Sequence, residues 1–456
     1  MKRTVRVLAA WLAAAAVSAI ALPAAPAGAQ APRPITLTEA LTLAAQHNHG
    51  LRVAAFEVAA ARAAVNQAEA FRSGLLTLNA AYTRVNDRPP TTIVIPPGTI
   101  PGVVTPITIT IPPASPNLYS VGLTYQLPLY SGGRNEAQIA LARANLLGAE
   151  AALERTKQQL VLDVKQAYYQ VLLAQAGLEV AGRTAAEAEE NLRVARARVA
   201  AGASPRFDEI QAEVNLANAR VGQIRSRNAV ALALQGLNGL MAQPLDAQWA
   251  PREVMTIVPL RTELAALVRR ALEARPELGE QQARIAAAAA AVDVARAGLR
   301  PVVAFQAAPA YGNTSGASLT GGGPAAFSWS ATLSATLVLF DGHLTAERIR
   351  EAEARVEQLR AAEAQLRQAI EADVRRAVLN HQAAAEELAG ADKTVELAQE
   401  GLRIANVRFA AGVSTNLEVV QAQAALSQAQ ANRIQALFHL NVARAQLERA
   451  VGGAVE

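Results

Sequence analysis

The feature that most constrains this chain is a pair of very long proline-free stretches, Tyr130 to Gly202 and Phe340 to Gly412, with 210 residues between equivalent positions. Proline lacks a backbone N–H and clashes inside a helix, whereas alanine, abundant here, has the best helix propensity, so both stretches read as continuous helices. At about 1.5 Å per residue, each helix is roughly 100 Å long. In the first, Leu146, Leu153, Leu160, Ala167 and Ala174 recur every seven residues, a spacing suited to coiled-coil contacts. Two such rods are not what a compact enzyme built around one pocket needs. They suggest a conduit.

The two rods belong to an internal duplication. Tyr130-Ser131-Gly132 corresponds to Phe340-Asp341-Gly342, and RVAAGASPRFDEIQAEV from Arg198 corresponds to RFAAGVSTNLEVVQAQA from Arg408. Gly202 pairs with Gly412, Ser204 with Ser414, Asp208 with Glu418 and Gln211 with Gln421, all at one offset, whereas chance alignments drift. The expected repeats are residues 30–250 and 251–456. The first holds strands at about 76–86 and 118–130, a long helix at about 132–201 and a helix at about 205–240. The second holds strands at about 302–312 and 328–340, a long helix at about 342–411 and a helix at about 415–451. The helices flanking each rod together match its length, which suggests a rod packed beside two shorter helices stacked end to end. Gly202 suits a helix C-cap, Ser204 the next N-cap and Pro205 the first helical position; Ser414 is the second-repeat counterpart.

The strands decide the environment. Tyr119, Val121, Leu123, Tyr125, Leu127 and Leu129 alternate with Ser120, Gly122, Thr124 and Gln126, and Trp329 to Leu339 alternates as cleanly with Ser330 to Thr336. Pro309 lies within the third strand and implies a bulge or an early end to pairing there. Residues 87–117 carry nine prolines around PITITIP, a candidate extended hairpin tip. Strands of this length with aromatics toward their ends suit a tilted membrane barrel; the alternative is a soluble sandwich. Open edges are not viable in lipid and four strands cannot close a barrel, so membrane-spanning strands would require the chain to oligomerise.

Lys2, Arg3 and Arg6, the apolar run Val7 to Ala21 and Ala27-Gly28-Ala29 form a secretory signal peptide over residues 1–29. No later stretch is long and apolar enough for an inner-membrane helix. Removing those three cations from the net charge of +5 leaves about +2, which does not suggest a nucleic-acid partner. Cysteine is absent, so neither disulfides nor thiolate metal sites are available. His47 and His49 do not share a helical face, and His343, His381 and His439 are isolated. No metal, cofactor, phosphate-binding glycine loop or nucleophile-plus-base arrangement is expected, and no enzymatic activity.

ITLTEALTLAAQHNHGL near the start, the duplicated hairpin-plus-rod plan and the paired turns VAAGASPRFDEIQAE and FAAGVSTNLEVVQAQ resemble the TolC family of outer-membrane efflux proteins across essentially all of the mature chain. The resemblance implies a mainly α fold with a membrane β part. A homotrimer would share a 12-stranded β-barrel in the outer-membrane lipid, continuous with a long α-helical, coiled-coil tunnel in the periplasm. Segments 34–48, 241–276 and the C-terminus would girdle the tunnel. It implies an exit duct for tripartite efflux or type I secretion, docked to a periplasmic adaptor (membrane fusion) protein and an inner-membrane pump of RND or ABC type. Carried over by position, Gly202, Ala203, Ser204, Gly412, Val413 and Ser414 would be the adaptor-contacting tips. Glu418 would form an acidic ring narrowing the closed end, Gln421 an uncharged second ring, and Asp208 is the equivalent of Glu418 in the first repeat. The plainer reading of Glu418 and Asp208 is a solvated first-turn carboxylate favoured by the helix dipole. The competing function is a periplasmic coiled-coil adaptor or scaffold without a barrel, which leaves the two alternating hairpins unexplained.

Overall fold

The computed structural model describes residues 33–84, 86, 91–111, 116–252, 255, 263–313, 325–411 and 413–455. The signal peptide expected over residues 1–29 and the turn residue Gly412 lie outside them.

The chain runs β1 (Arg33–Ile35), α1 (Leu37–His47), α2 (His49–Ala70), β2 (Leu75–Arg84), β3 (Thr91–Ile95), β4 (Ile107–Ile111), β5 (Asn117–Tyr130), α3 (Arg134–Ala200) and α4 (Arg206–Leu240). It continues through β6 (Trp249–Pro251), α5 (Leu264–Ala274), α6 (Pro276–Arg296), β7 (Val302–Gly312), β8 (Ala326–Thr336), α7 (Leu344–Ala410) and α8 (Asn416–Val451). The rods α3 and α7 are each 67 residues long. Helix α1 opens with a capping box, in which the Thr36 hydroxyl accepts from the Glu39 N–H while Glu39 accepts from the Thr36 N–H. Those bonds hold the Glu39 carboxyl below the usual carboxylate range.

The helices form one layer. Rod α3 packs against α2 and α4 on one side and against α6 and α8 on the other, and α7 continues the layer beyond α6 and α8. Being flanked twice, α3 buries more than the single heptad row read from the sequence; Leu160, Val164 and Val171 pack with α1 and α4, whereas Ala144 lies beside Ala283 of α6. At mid-height each repeat builds its own core. Leu160, Val164, Tyr168, Leu237 and Met241 cluster with Ala40 and Ala44 of α1. Their equivalents 210 residues on, Ile370, Val374, Val378, Leu447 and Val451, cluster with Leu267 and Ala271 of α5. The parallel pair β1–β6 joins residues 33–35 to the 249–251 connector, and the buried Tyr168 hydroxyl donates to the Ile35 carbonyl at 3.1 Å. Ion pairs cross the same level, Lys165 with Glu448 and Arg449 with Glu277. His381, buried in α7, has its pKa pushed down by burial and by the neighbouring Arg444 guanidinium, so its ring stays neutral at pH 7.

The main sheet is fully antiparallel in the order β2-β5-β7-β8. Its register aligns the apolar residues of all four strands on one face: Tyr82 beside Tyr119, Val121 beside Tyr311 and Tyr311 beside Phe327, Leu78 beside Leu123, and Phe305 beside Leu333. The opposite face carries Thr77, Asn79, Ser120, Thr124, Gln306, Ser330, Thr332 and Ser334. The apolar face is open to the surroundings, with Leu78 67 %, Phe327 67 % and Trp329 70 % exposed.

Two strand expectations change. Pro309 neither bulges nor ends its strand. Its ladder to β8 is continuous through the Pro309–Trp329 pair, whereas the ladder to β5 skips from Ala310 to Ala307 with the register unchanged. The missing N–H therefore costs pairing on one side only. A bulge occurs instead on β5 between Pro128 and Tyr130. The last strand, expected at about 328–340, spans Ala326–Thr336; its partner β7 begins at Val302 after Pro301, so residues 337–340 have no strand to pair with. The proline-rich segment folds as a separate hairpin, β3 against β4, with Ile93 opposite Ile109.

The handover from sheet to rod is built twice alike. The residues before α3 and α7, Gly133 and His343, are both left-handed, with φ of 89° and 69°. The Ser131 hydroxyl accepts from the Asn135 N–H at 3.1 Å, and the Asp341 carboxylate accepts from the Thr345 N–H at 2.8 Å. The hydrogen bonds from Thr345 keep the Asp341 carboxyl below its ordinary range. Gly132 is required at φ 68°, because a Cβ there would also sit 2.9 Å from the Ala297 carbonyl oxygen.

Candidate functional site

The far ends of the rods carry the candidate residues. Rod α3 ends in a Schellman turn: the N–H of left-handed Gly202 (φ 70°) donates to the Val199 carbonyl at 3.0 Å and that of Ala203 to the Arg198 carbonyl at 2.8 Å. At the end of α7 the Val413 N–H donates to the Arg408 carbonyl at 3.0 Å, the same bond 210 residues on. Gly202 and Ala203 are exposed, so the turn offers its backbone to solvent. The serines do not cap as expected. Pro205 and Thr415, extended at ψ 150° and 158°, precede α4 and α8, and neither helix has a side-chain cap. Ser204 and Ser414 stand one residue too early to reach the free N–H groups, and the buried Ser414 Oγ has no hydrogen-bond partner.

The acidic candidates separate. Asp208, in the first turn of α4, lies with Gln211 in a groove of about 670 Å³ between α4 and α8. Phe207 and Ala212 border it from α4, Leu417 and Val420 from α8. Glu418 does not line this groove: half-buried in the first turn of α8, it faces Arg408 at 3.8 Å. Gln421, one turn further, is exposed. Within one chain, then, Asp208 and Gln211 share a surface while Glu418 and Gln421 lie apart from it.

Three features escaped the sequence. The Arg198 guanidinium stacks over Phe409, 4.4 Å from the ring centroid, and ties the two rod ends together. The α3–α8 seam that lines the groove is polar, with Thr184 against Ser427 at 3.3 Å and the Asn191 amide donating to Gln423 at 3.0 Å; Gln423 also donates to Glu187. In a single chain such residues read as solvated helix faces. Finally, α4 and α7 carry stripes of exposed apolar residues: Ile210, Val214, Val221 and Ile224 on α4, and Leu379, Leu397, Ile404 and Val407 on α7. The seven-residue steps from Val214 to Val221 and from Leu397 to Ile404 were the signal available. Among the described residues no group of His, Cys, Asp or Glu could hold a metal ion, and no helix is long and apolar enough to cross a membrane.

Residues 40–243 and 267–453, well over half of the chain, match the family described as outer membrane efflux protein. Protein CyaE of Bordetella pertussis is 30 % identical over 313 residues, which cover 67 % of this chain and 64 % of CyaE, just under two thirds of that relative. Outer membrane protein OprJ of Pseudomonas aeruginosa is 27 % identical over 351 residues, covering 74 % of this chain and 70 % of OprJ. A solved membrane protein from Pseudomonas aeruginosa superposes with a TM-score of 0.71 at 25 % identity, covering 91 % of this chain and 93 % of its own.

Proposed function

The chain belongs to the outer membrane efflux protein family, and from that premise we propose that three copies form a channel through the outer membrane, the exit duct of a tripartite efflux or secretion system. One observation carries the reading: a four-stranded sheet with a continuous, exposed apolar face and two unpaired edges, β2 and β8. Lipid accepts the apolar face but not open edges, and four strands are half the smallest closed barrel. Pairing β8 of one copy with β2 of the next closes twelve strands around the polar face. The helix layer closes with the same symmetry, because the free flank of α7 meets α2 and α4 of the neighbouring copy. The stripes on α4 and α7 are the apolar surfaces that contact needs, and their seven-residue steps suit a coiled-coil seam. The rods, roughly 100 Å long at the helical rise, span the periplasm toward the partner. Reconstitution tests the proposal: purified protein should elute as a trimer in detergent and give discrete conductance steps in planar bilayers. Recovery in the soluble periplasmic extract without detergent would overturn it.

The tips meet the periplasmic adaptor, behind which stands the inner-membrane pump. The turns expose Gly202, Ala203 and Val413, with Ser204 and Ser414 half-buried beside them, and between α4 and α8 lies a groove with Phe207 68 % and Leu417 59 % exposed along it. Exposed aromatics bordering a groove are typical anchors. Phe207→Asp should weaken adaptor binding about 10- to 30-fold, corresponding to roughly 1.5–2 kcal/mol, while leaving conductance in bilayers unchanged. Unchanged adaptor affinity in a pull-down titration removes the groove from the docking site.

Glu418 acts at the closed end. Threefold symmetry would bring three Glu418 carboxylates around the axis, where they attract cations and repel one another, while Gln421 makes the next ring uncharged. Glu418→Ala is therefore expected to raise single-channel conductance or weaken block by divalent cations. If both stay at wild-type values, Glu418 is a first-turn carboxylate only, paired with Arg408.

A further inference from the structure

Positive charge gathers where the strands hand over to the rods, in a groove that conduction leaves without a role. Arg134 in the first turn of α3 and Arg348 and Arg355 in the second and fourth turns of α7 border about 470 Å³ of space over the last turn of α6, near Val294 and Gly298. Arg355 is neutralised by Glu351 at 2.7 Å. The Arg134 and Arg348 side chains have no ion-pair or hydrogen-bond partner among the described residues. Arg300 stands at the turn just before Arg134, donating to the Gly132 carbonyl at 3.3 Å. Both rods begin here, so two helix N-termini add their dipoles to the same positive field.

The apolar run Leu337–Phe340 adjoins this groove along the chain, and its four residues are 48 %, 55 %, 89 % and 80 % exposed. Leu337 and Leu339 keep the sequence alternation of Leu333 and Ala335 beyond the end of β8, leaving exposed apolar side chains between the sheet and the start of α7. An apolar surface running into unpaired guanidinium groups matches a phospholipid, with acyl chains above and phosphate below. We propose that this groove binds the phosphate headgroup of an anionic phospholipid of the inner leaflet, whose chains lie along Leu337 and Leu339. The site rests on the membrane placement of the sheet argued above. It would fix the depth at which the barrel ends and the tunnel begins.

The test uses full-length protein purified in detergent and titrated with dioleoyl phosphatidylglycerol or dioleoyl phosphatidylcholine, bound lipid being counted by native mass spectrometry. Wild-type protein should retain phosphatidylglycerol in preference to phosphatidylcholine. At about fivefold per cationic side chain near a membrane surface, Arg134→Gln with Arg348→Gln should lose about 25-fold in affinity. Arg134→Lys with Arg348→Lys should keep most of it, and Arg183→Gln with Arg193→Gln, lower on the rod, should lose nothing. Equal retention of the two lipids by wild-type protein overturns the site, and that measurement needs no variant to fold. Displacement of phosphatidylglycerol by millimolar inorganic phosphate also overturns it, assigning the groove to a soluble anion. Flotation of the wild type with liposomes separates the two levels. Failure to float sinks the membrane placement and the site together, whereas flotation without lipid preference sinks the site alone.

Discussion

Leu123→Arg is expected to keep the protein out of the outer membrane, whereas Thr124→Arg, one residue along the same strand, is expected to insert and conduct. Leu123 lies near the middle of β5, opposite Leu78 on the apolar face, and Thr124 lies opposite Thr77 on the polar face. A guanidinium facing hydrocarbon near the bilayer centre costs about 2–4 kcal/mol, or roughly 30- to 800-fold in an insertion equilibrium, and each chain of a trimer would bear it. A guanidinium facing a water-filled lumen meets no such penalty and should instead shift ion selectivity toward anions. The measurement is recovery in floated outer-membrane fractions, followed by bilayer recording for Thr124→Arg. Equal recovery of the two variants would mean that the sheet does not present one face to lipid, and the channel reading would fall with it.

That contrast was legible in the sequence because a strand has a side-chain period of two, and Tyr119 to Leu129 and Trp329 to Thr336 follow it without interruption. The rods were equally legible, since 70 residues without proline and rich in alanine admit few alternatives to helix. Legibility failed wherever the outcome depends on a neighbour distant in sequence. Leu337 and Leu339 continue the alternation, but a strand needs a partner, and Pro301 precedes the start of β7, the strand that pairs with β8. Pro309 was expected to disrupt its strand; which side of a strand faces the gap in the ladder is a property of the sheet, not of the local sequence. Ser204 and Ser414 have the side chains of N-caps, but backbone that stays extended through Pro205 and Thr415 moves each helix start one residue on.

The candidate site was less readable than the fold for the same reason. The duplication located both turns and the pairs Asp208–Glu418 and Gln211–Gln421, but equivalence between repeats is not proximity. The groove joins the start of α4 to the start of α8, whose residues are some 200 apart in the chain, and it places Asp208 there without its counterpart Glu418. The Arg198–Phe409 contact breaks the repeat symmetry, since Val199 occupies the position equivalent to Phe409. Such divergence gives the two rod ends of one chain different surfaces.

The girdle around the rods shows how far the repeats have diverged, and it sets the largest expected loss of stability. Tyr168 is fully buried in α3, packed among Ile35, Ala40, Leu160, Val164 and Leu237, with its hydroxyl donating to the Ile35 carbonyl at 3.1 Å. Its equivalent in α7 is Val378, which has no hydroxyl and packs on α5 through apolar contacts alone. Tyr168→Ala removes an aromatic ring from a closed core and one of two donors to the Ile35 carbonyl, which keeps the Arg252 N–H at 3.1 Å; the cost is about 3–5 kcal/mol, mostly from the lost ring. Tyr168→Phe keeps the ring and loses only the hydrogen bond, about 1 kcal/mol. Because residues 33–35 and 249–251 meet the rod through this contact, Tyr168→Ala should also expose residues 33–47 to protease at temperatures where wild-type protein resists. Thermal unfolding and limited proteolysis of the detergent-purified protein measure both effects. If the alanine and phenylalanine variants lose the same stability, the hydroxyl and not the ring fastens the girdle. If neither becomes protease-sensitive at residues 33–47, the first repeat is held as the second is, by α1 packing alone.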